Sequence, residues 1–366
     1  MTGRERFLTA LHNGKPDRLP CQVHSWMDYC RNTYLGGCDQ FAAYEYFGMD
    51  PVIYLNPKPV YAPDAFRNWQ VTHEELGVDA SGNRVRRETV TTPDGVLVTE
   101  FAHNQYTEWV TRLPIQSDED FEIWDRYVPL PSGMDWSEIR AAKARIGDTG
   151  IVRGSLFDFG QGNPWQSFVG YLYDMEQCIY DAFDRPEWVH HCLDRLLEKK
   201  LDVLDRSGRI ELDVVECGGG AGSSTVISPA MHAEFCLPYD QKQIRAIHDA
   251  GALVSYHLCG GLMPLLELVV QNGADALETM TPPGMGGDCD LREAERRVGD
   301  KLCFIGGFDQ GAGFERGDPE TVRRMVHELF ACCLNGGYIV SPSDHFFEGD
   351  PENLFAFVRA AKECVY

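Results

Sequence analysis

The sequence predicts an α/β protein whose chain closes into a (β/α)8 barrel, the TIM-barrel architecture. Short apolar runs alternate with helical patterns from Gly150 onward, and proline follows a capping residue at several helix starts. The length of 366 residues is also sufficient for one large barrel. An open doubly wound sheet is the second possibility, but no glycine-rich turn follows the first strand to support it.

Eight segments are candidates for the strands of this barrel. Each is short enough to be a strand buried on both faces, and helical patterns separate those in the C-terminal part. In chain order they are 19–24, 51–55, 151–154, 212–216, 253–257, 274–278, 302–306 and 338–341. Eight is the number of strands that a closed barrel of this type requires.

Capping signals mark the starts of four predicted helices. A side-chain oxygen directly precedes proline in Ser228-Pro229, Asp318-Pro319 and Asp350-Pro351, and Asp184 stands two residues before Pro186. Such an oxygen accepts a hydrogen bond from the first helical turn, where proline is tolerated because its missing N–H has no intrahelical partner. We therefore predict that helices begin at these positions.

Residues 69–111 interrupt the alternation of strands and helices. Polar and β-branched residues alternate here, and the stretches 79–83 and 92–95 contain turn signals typical of antiparallel strands. We predict a β-rich insertion in the N-terminal part that covers one end of the barrel. It is expected to belong to a single domain that spans residues 1–366.

The composition limits the partners and the compartment of the protein. A formal net charge of −23 repels nucleic acid phosphates and anionic lipids, so neither nucleic acid nor a membrane is an expected partner. No apolar run reaches the ~20 residues of a membrane-spanning helix, and the amino terminus lacks the apolar stretch of a signal peptide. The thirteen cysteines are odd in number, which fits a reducing compartment. We expect a cytoplasmic protein.

Ionisable residues follow several of the predicted strands. They are Glu216, His257 with Cys259, Glu278, Asp309, and the neighbours Asp344 and His345. Active sites of (β/α)8 barrels lie at the carboxyl ends of the strands. The sequence therefore predicts a site at this face, with Glu278 and Asp309 as candidate catalytic residues that hold the substrate or orient a histidine.

His257-Leu258-Cys259 is the most specific of these motifs. Side chains two residues apart on a strand point the same way, so imidazole and thiolate can bind one ion, for which zinc is the natural candidate. Glu216 is a candidate ligand because a buried carboxylate needs a cation to stay ionised, and Asp344 or His345 can complete four ligands. The alternative is a core histidine beside a buried thiol, with the other residues in solvated loops.

A series of motifs along the chain resembles the uroporphyrinogen decarboxylase superfamily. The motifs are segments 4–11 and 15–20, Ile227-Ser228-Pro229 with Phe235 and Pro238-Tyr239, His257-Leu258-Cys259-Gly260, Gly306-Gly307-Phe308-Asp309, and segment 350–354. They occur in the family's order and cover nearly the whole chain. The resemblance implies the same (β/α)8 barrel that the strand pattern predicts.

Two activities divide this superfamily. Its decarboxylases carry an arginine-rich segment after the first strand and an aspartate after the second, where this chain has segment 24–31, with one arginine, and Tyr54-Leu55-Asn56. A highly anionic porphyrinogen would meet little positive charge, so its decarboxylation is not expected. The zinc- and corrinoid-dependent methyltransferases resemble the chain at His257-Leu258-Cys259-Gly260. Their coenzyme M enzymes add a second cysteine after the last strand, where this chain has Ser343-Asp344-His345.

The resemblance implies zinc-dependent methyl transfer between a small methylated substrate and a corrinoid of the cobalamin type. The corrinoid would be free or bound to a partner protein, and zinc would act as a Lewis acid on a thiol or on an ether oxygen. Because the second cysteine is missing, a methylated donor such as a methoxyaromatic compound is favoured.

Aromatic residues near the predicted mouth of the barrel suit the ring of such a donor. They are Trp26, Phe157, Phe159, Trp165 and Phe346. Ordinary packing is the alternative role of these rings. For the whole protein, the alternatives are a cofactor-free lyase that uses Asp309, Glu278 and His257 as acids and bases, and a non-catalytic barrel.

Overall fold

The computed structural model describes residues 1–156 and 162–366. Within this described chain, contacts define two compact units. The first comprises residues 1–57, 136–156 and 209–366, and the second comprises residues 58–135 and 162–208. That the two units fold as one domain over residues 1–366 stays a prediction.

The secondary structure alternates strands and helices through most of the chain. The strands are β1 (Val52–Tyr54), β2 (Lys58–Val60), β3 (Gln70–Val78), β4 (Arg84–Thr91), β5 (Val96–His103), β6 (Glu108–Arg112), β7 (Gly133–Asp135), β8 (Ile151–Gly154), β9 (Val214–Gly218), β10 (Leu253–His257), β11 (Ala276–Thr279), β12 (Cys303–Phe308) and β13 (Tyr338–Pro342). The α-helices are α1 (Gly3–Leu11), α2 (Asp28–Tyr34), α3 (Gln40–Phe47), α4 (Asp118–Tyr127), α5 (Ser137–Ile146), α6 (Pro164–Ser167), α7 (Met175–Asp184), α8 (Pro186–Ser207), α9 (Pro229–Phe235), α10 (Leu237–Asp249), α11 (Leu266–Asn272), α12 (Leu291–Val298), α13 (Pro319–Phe330) and α14 (Pro351–Glu363). Among the described residues, no helix has both the length and the apolar character needed to cross a bilayer.

Seven parallel strands form the main sheet of the first unit. Their order is β1-β8-β9-β10-β11-β12-β13, so neighbours in the chain are also neighbours in this sheet. Every residue of β8, β9, β11 and β13 is buried, as expected of parallel strands covered on both faces. The predicted α/β architecture with a parallel sheet is therefore confirmed.

The segment predicted as the first barrel strand, residues 19–24, contributes a single parallel bridge. Cys21 pairs with Val340 of β13, and the N–H of Gln22 donates to the carbonyl oxygen of Val340 at 3.0 Å. Pro20 accepts a bond from the N–H of Val340 but has no N–H of its own to extend a ladder. The continuous sheet thus has seven strands, and closure into an eight-stranded barrel stays a prediction.

The main sheet curls so that distant strands face each other. Arg153 on β8 and Glu278 on β11 are separated by two strands in the sheet order, yet Arg153 Nη1 lies 2.8 Å from Glu278 Oε2. In a flat sheet three strand spacings would separate the two backbones by about 14 Å, beyond the reach of these side chains. The curl therefore brings side chains from non-adjacent strands into one place.

A four-stranded antiparallel sheet, in the order β3-β4-β5-β6, belongs to the second unit. It occupies the segment where alternation and turn signals predicted strands. An ion pair joins Arg87 to Glu100 on the neighbouring strand β5 at 2.7 Å, and Arg86 reaches across β5 to Glu108 on β6 at 2.9 Å. A separate ladder pairs β2 with β7. That the four-stranded sheet covers one end of a barrel stays a prediction.

Three of the four predicted capping residues cap their helices. The side chains of Ser228, Asp318 and Asp350 each accept a hydrogen bond from the first turn of the helix that follows. The prediction for Asp184 is wrong, because this residue ends α7. Helix α8 begins after Arg185, whose side chain makes no capping hydrogen bond.

Asp213, at the start of β9, connects three parts of the first unit. Its Oδ2 accepts the N–H of Val152 at 2.8 Å, and its Oδ1 accepts Arg4 Nη2 at 2.8 Å and Lys143 Nζ at 2.7 Å. Burial by itself raises the pKa of the Asp213 carboxyl, but the hydrogen bonds from Arg4, Lys143 and the Val152 N–H outweigh burial and lower the pKa.

The substitution Asp213→Asn is expected to lower the free energy of unfolding by about 2–4 kcal/mol, because hydrogen bonds to charged groups contribute about 1.5–3 kcal/mol each. The folded pKa lies below the unfolded value of about 3.9. The carboxylate's contribution is therefore present above that value and is lost as the pH falls through the folded pKa. Urea unfolding should show that the difference in free energy of unfolding between wild type and variant is smaller at acidic pH than at neutral pH. A difference that does not change with pH contradicts stabilisation by the Asp213 carboxylate.

Candidate active site

Three predicted site residues and two unpredicted ones meet inside the curl of the main sheet. Glu216 on β9, His257 at the end of β10 and Glu278 on β11 are joined by Arg153 from β8 and by His24, which follows the segment bridged to β13. Possible ligand atoms of His24, Glu216, His257 and Glu278 all lie within 4.8 Å of one another. We call these four residues the His–Glu cluster.

Arg153 joins the two carboxylates of the His–Glu cluster. Its Nη1 and Nη2 donate to the two oxygens of Glu278 at 2.8 and 2.9 Å, and Nη2 also donates to Glu216 Oε2 at 2.5 Å. The side chain is only 2% exposed, so it compensates two negative charges that are also buried. Burial opposes ionisation of Glu278, but the charge of Arg153 holds the pKa of this carboxyl well below its usual value.

The two histidines of the cluster contact the same oxygen of Glu278. His257 Nδ1 lies 3.1 Å and His24 Nδ1 lies 3.4 Å from Glu278 Oε1. Burial lowers the pKa of His24 well below its usual value. Burial also disfavours the charged form of His257, but hydrogen bonds with Cys259 and Glu278 raise its pKa well above its usual value. The cluster therefore combines one imidazole whose pKa is lowered with one whose pKa is raised.

The glycines after β9 allow a close approach to the strand that carries His257. Gly218 has a φ of +92°, and a Cβ at this position would lie 2.5 Å from the carbonyl oxygen of His257. Glycine satisfies both the backbone conformation and the close contact. The stretch that begins at Gly218 thus fits the end of β9 against the end of β10.

Cys259 lies beside the His–Glu cluster. Its thiol contributes to the raised pKa of His257, two residues before it, but its sulfur is not among the atoms that group within 4.8 Å in the described chain. A Cβ on Gly220 would lie 2.5 Å from Cys259 Sγ, so glycine leaves room for the thiol. That Cys259 is a metal ligand stays a prediction. Orienting His257 is the alternative role of this thiol.

The other predicted site residues make local contacts. His345 is solvent-exposed, with its ring centroid 4.5 Å from that of His24, and Asp344 Oδ1 accepts the N–H of His345 at 2.7 Å. Asp309 Oδ1 accepts the N–H of Ala312 at 2.8 Å, which caps the helical turn after β12. Within the described chain, none of these residues belongs to the His–Glu cluster. Their metal-binding and catalytic roles stay predictions.

The predicted aromatic residues that the structure describes are packed. Trp26 is 7% exposed and stacks on Phe47 at 5.6 Å, and Phe346 is 2% exposed and contacts Trp26 at 6.0 Å. Trp165 is fully buried within the second unit. Phe157 and Phe159 lie outside the described residues. The contacts of the three described rings are those of interior packing, and a substrate-binding role stays a prediction.

Sequence reasoning missed His24 and Arg153, although a signal existed for each. His24 is the last residue of the predicted strand 19–24, so the strand-end rule that selected His257 also selects His24. Arg153 stands within the apolar run of 151–154, and a charged residue in a buried strand requires a partner of opposite charge. Its partners proved to be two of the predicted carboxylates.

The donor atoms of the His–Glu cluster are suitable for zinc. Imidazole nitrogen and carboxylate oxygen are both zinc ligands, with bonds of about 2.0–2.2 Å, so only small movements are needed for atoms already within 4.8 Å. A neutral imidazole, as in His24, is the form that binds a metal. Binding at His257 requires the release of its proton. The donor atoms of the cluster therefore fit a metal ion. Arg153 already supplies one positive charge to the two carboxylates.

The fold and the site define an α/β protein with an ionisable centre at the carboxyl ends of a curled parallel sheet. The family model for uroporphyrinogen decarboxylase (URO-D) matches residues 160–364, which is more than half of the 366 residues. The chain belongs to the uroporphyrinogen decarboxylase family.

Curated relatives and a solved structure are consistent with this membership. The chain is 28% identical over 222 residues to a uroporphyrinogen decarboxylase of Pseudomonas putida and 29% identical over 217 residues to that of Pseudomonas fluorescens. Each match covers 55% of this chain and 57% of the relative, so the chain spans little more than half the relatives' length. A methyltransferase from Methanosarcina mazei shares the fold, with a TM-score of 0.63, 99% of both chains covered and 14% sequence identity.

Proposed function

We propose that the chain catalyses metal-assisted methyl transfer between a small methylated substrate and a corrinoid. The observation that supports this most is the His–Glu cluster, with two imidazoles and two carboxylates within 4.8 Å at the carboxyl ends of the strands. Cys259, which raises the pKa of His257, adds a thiol beside this group. The fold shared with a protein described as a methyltransferase is consistent with the proposal.

Zinc would supply Lewis-acid polarisation of an ether oxygen or a thiol when bound. The residues that would hold it are His24, Glu216, His257 and Glu278, with Cys259 as a further candidate. Arg153 keeps both carboxylates in place through its planar fork. Glu278 orients the two imidazoles, because both nitrogens lie against its Oε1.

The substrate would be of the methoxyaromatic or thiol type, and the corrinoid would be free or carried by a partner protein. Ser343-Asp344-His345 stands where the thiol-activating enzymes have their second cysteine, and this favours a methylated donor. The buried rings of Trp26 and Phe346 give no added support to an aromatic substrate.

Metal content is the first test of this proposal. Protein purified without chelator is expected to carry roughly one zinc per chain, which is lost in His257→Ala and reduced in Cys259→Ala. His73→Ala is the matched control, because His73 lies in the second unit with its side chain 59% exposed. Elemental mass spectrometry measures the zinc content of the wild type and of the three variants. A folded wild type that stays free of zinc even after incubation with zinc salts excludes the metal-assisted mechanism.

A cofactor-free lyase or decarboxylase is the second candidate. It is favoured by the direct pair of His257 and Glu278, an imidazolium beside a carboxylate, which can move a proton without a metal. Anaerobic methylation of cob(I)alamin from 2-methoxyphenol or a methyl thioether tests the first function, and carbon dioxide release from uroporphyrinogen tests the second. If protein treated with a chelator still releases carbon dioxide, the lyase is favoured. If zinc-loaded protein shows neither activity, a non-catalytic barrel is favoured.

A further inference from the structure

A pocket of about 770 Å³ lies at the opposite end of the main sheet from the His–Glu cluster. Residues that precede or begin β9 and β10 line it, together with residues of α1 and α5, and all belong to the first unit. Since the strands are parallel, this is the amino end of the sheet, and we call it the amino-end pocket. Its volume falls within the range of about 300–1,000 Å³ typical of small-molecule sites.

The amino-end pocket is rich in basic residues although the protein has a net charge of −23. Its basic lining residues are Arg4, His12, Lys143, Arg209 and His248, and its acidic lining residues are Glu211 and Asp213. With histidine counted as neutral, as in that net charge, three cations face two carboxylates, which reverses the balance of the chain as a whole. Positive charge concentrated in a concave site attracts anions despite the acidic surroundings.

Asp213 holds two of these cations at the wall of the amino-end pocket. Its Oδ1 accepts from both Arg4 and Lys143, and its Oδ2 is occupied by the N–H of Val152. A guanidinium has five N–H donors and an ammonium has three, so both cations keep donors for a ligand. Their side chains are 33% and 32% exposed. One carboxylate therefore fixes two cations at the wall of the pocket, and Asp148 is a second carboxylate near Arg4.

Arg209 is the third cation of the amino-end pocket. It is exposed beside Gly251, and no carboxylate in the described part of the chain forms an ion pair with it. Glu211 does not neutralise it, because Glu211 pairs with Arg140 at 2.9 Å. His248 is paired with Asp275 at 2.8 Å, and this hydrogen bond raises the pKa of His248.

We propose that the amino-end pocket binds a phosphorylated small molecule. Arginine and lysine are the residues that bind phosphoryl oxygens, and Arg4, Lys143 and Arg209 offer donors to the three oxygens of a phosphate monoester. Leu8 and Leu253 line the pocket and are half-buried, so they offer apolar surface to an organic group. The ligand binds away from the His–Glu cluster and does not compete with a substrate there, which is the arrangement of a regulatory or stabilising site.

Calorimetric titration with phenyl phosphate at neutral pH and low, constant ionic strength tests this site. Wild type is expected to bind one molecule per chain, about tenfold more tightly than inorganic phosphate, because the phenyl ring buries apolar surface. Arg209→Gln should weaken binding at least about tenfold, since a charge-assisted hydrogen bond is lost. Arg359→Gln is the matched control, because it removes the same charge from an exposed position on α14 outside the pocket.

Folding of the variants is checked independently of binding. Arg209 is exposed and forms no ion pair with any residue that the structure describes, so without ligand Arg209→Gln should unfold thermally at the wild-type temperature. Added salt should weaken the binding of phenyl phosphate by the wild type, because the attraction is electrostatic. No binding by wild type, equal affinity in wild type and Arg209→Gln, or equal affinity for phenyl phosphate and inorganic phosphate each overturns the proposal.

Discussion

Arg153→Met is expected to lower the free energy of unfolding by about 3–5 kcal/mol, the usual effect of removing one partner from a buried ion pair. The guanidinium now lies 2.5–2.9 Å from the oxygens of Glu216 and Glu278. Methionine fills similar space but leaves two carboxylates buried without their cation. Urea unfolding at neutral pH, followed by circular dichroism, measures the loss.

Further variants separate charge from packing in this triad. Arg153→Lys keeps the positive charge but not the planar fork, so we expect a smaller loss than for methionine. Combining Arg153→Met with Glu278→Gln should recover part of the stability, because one uncompensated charge is removed. Arg359→Met, at an exposed position, should change stability little. If Arg153→Met were as stable as the wild type, the guanidinium of Arg153 would not stabilise the buried carboxylates of Glu216 and Glu278.

His24→Ala is expected to weaken zinc binding at least about 100-fold, as strongly as His257→Ala. Both imidazoles belong to the His–Glu cluster, and removal of a ligand exceeds the roughly 10–100-fold effect of removing a group that only orients a ligand. Competition with a chromogenic chelator measures these affinities. This prediction depends on zinc binding by the wild type.

Cys259→Ser and His345→Ala are the comparisons for this result. If Cys259 orients His257, its replacement should weaken zinc binding only about 10–100-fold. His345 contacts the ring of His24 but lies outside the cluster, so His345→Ala should have a smaller effect. A larger loss in Cys259→Ser than in His24→Ala would instead assign the metal to His257-Leu258-Cys259, as the sequence motif predicts.

Much of the main sheet was predictable from the sequence because burial on both faces leaves a local pattern. Short, largely apolar segments bounded by helical patterns marked β8 through β13, and every predicted end lies within two residues of the strand's end in the structure. The exception was segment 19–24, which has the same local composition. Its pairing depends on a partner more than 300 residues away, Val340, and forms only one bridge.

The sequence by itself also placed Glu216, His257 and Glu278 at one face, because parallel strands present their carboxyl ends on the same side. It could not rank these residues above Asp309, Asp344 and Cys259, which satisfy the same local rule. Only the curl of the sheet selected among them.

The decisive contacts are non-local. Arg153 and Glu278 are 125 residues apart in the chain and have two strands between them in the sheet, and His24 reaches Glu278 from the far end of the sequence. Each strand end is determined by a few neighbouring residues, whereas the distance between side chains across the sheet is determined by the twist and curl of all seven strands together. For that reason the sequence by itself placed Glu216, His257 and Glu278 at the carboxyl ends of their strands, whereas the tertiary structure added His24 and Arg153 and decided which side chains touch.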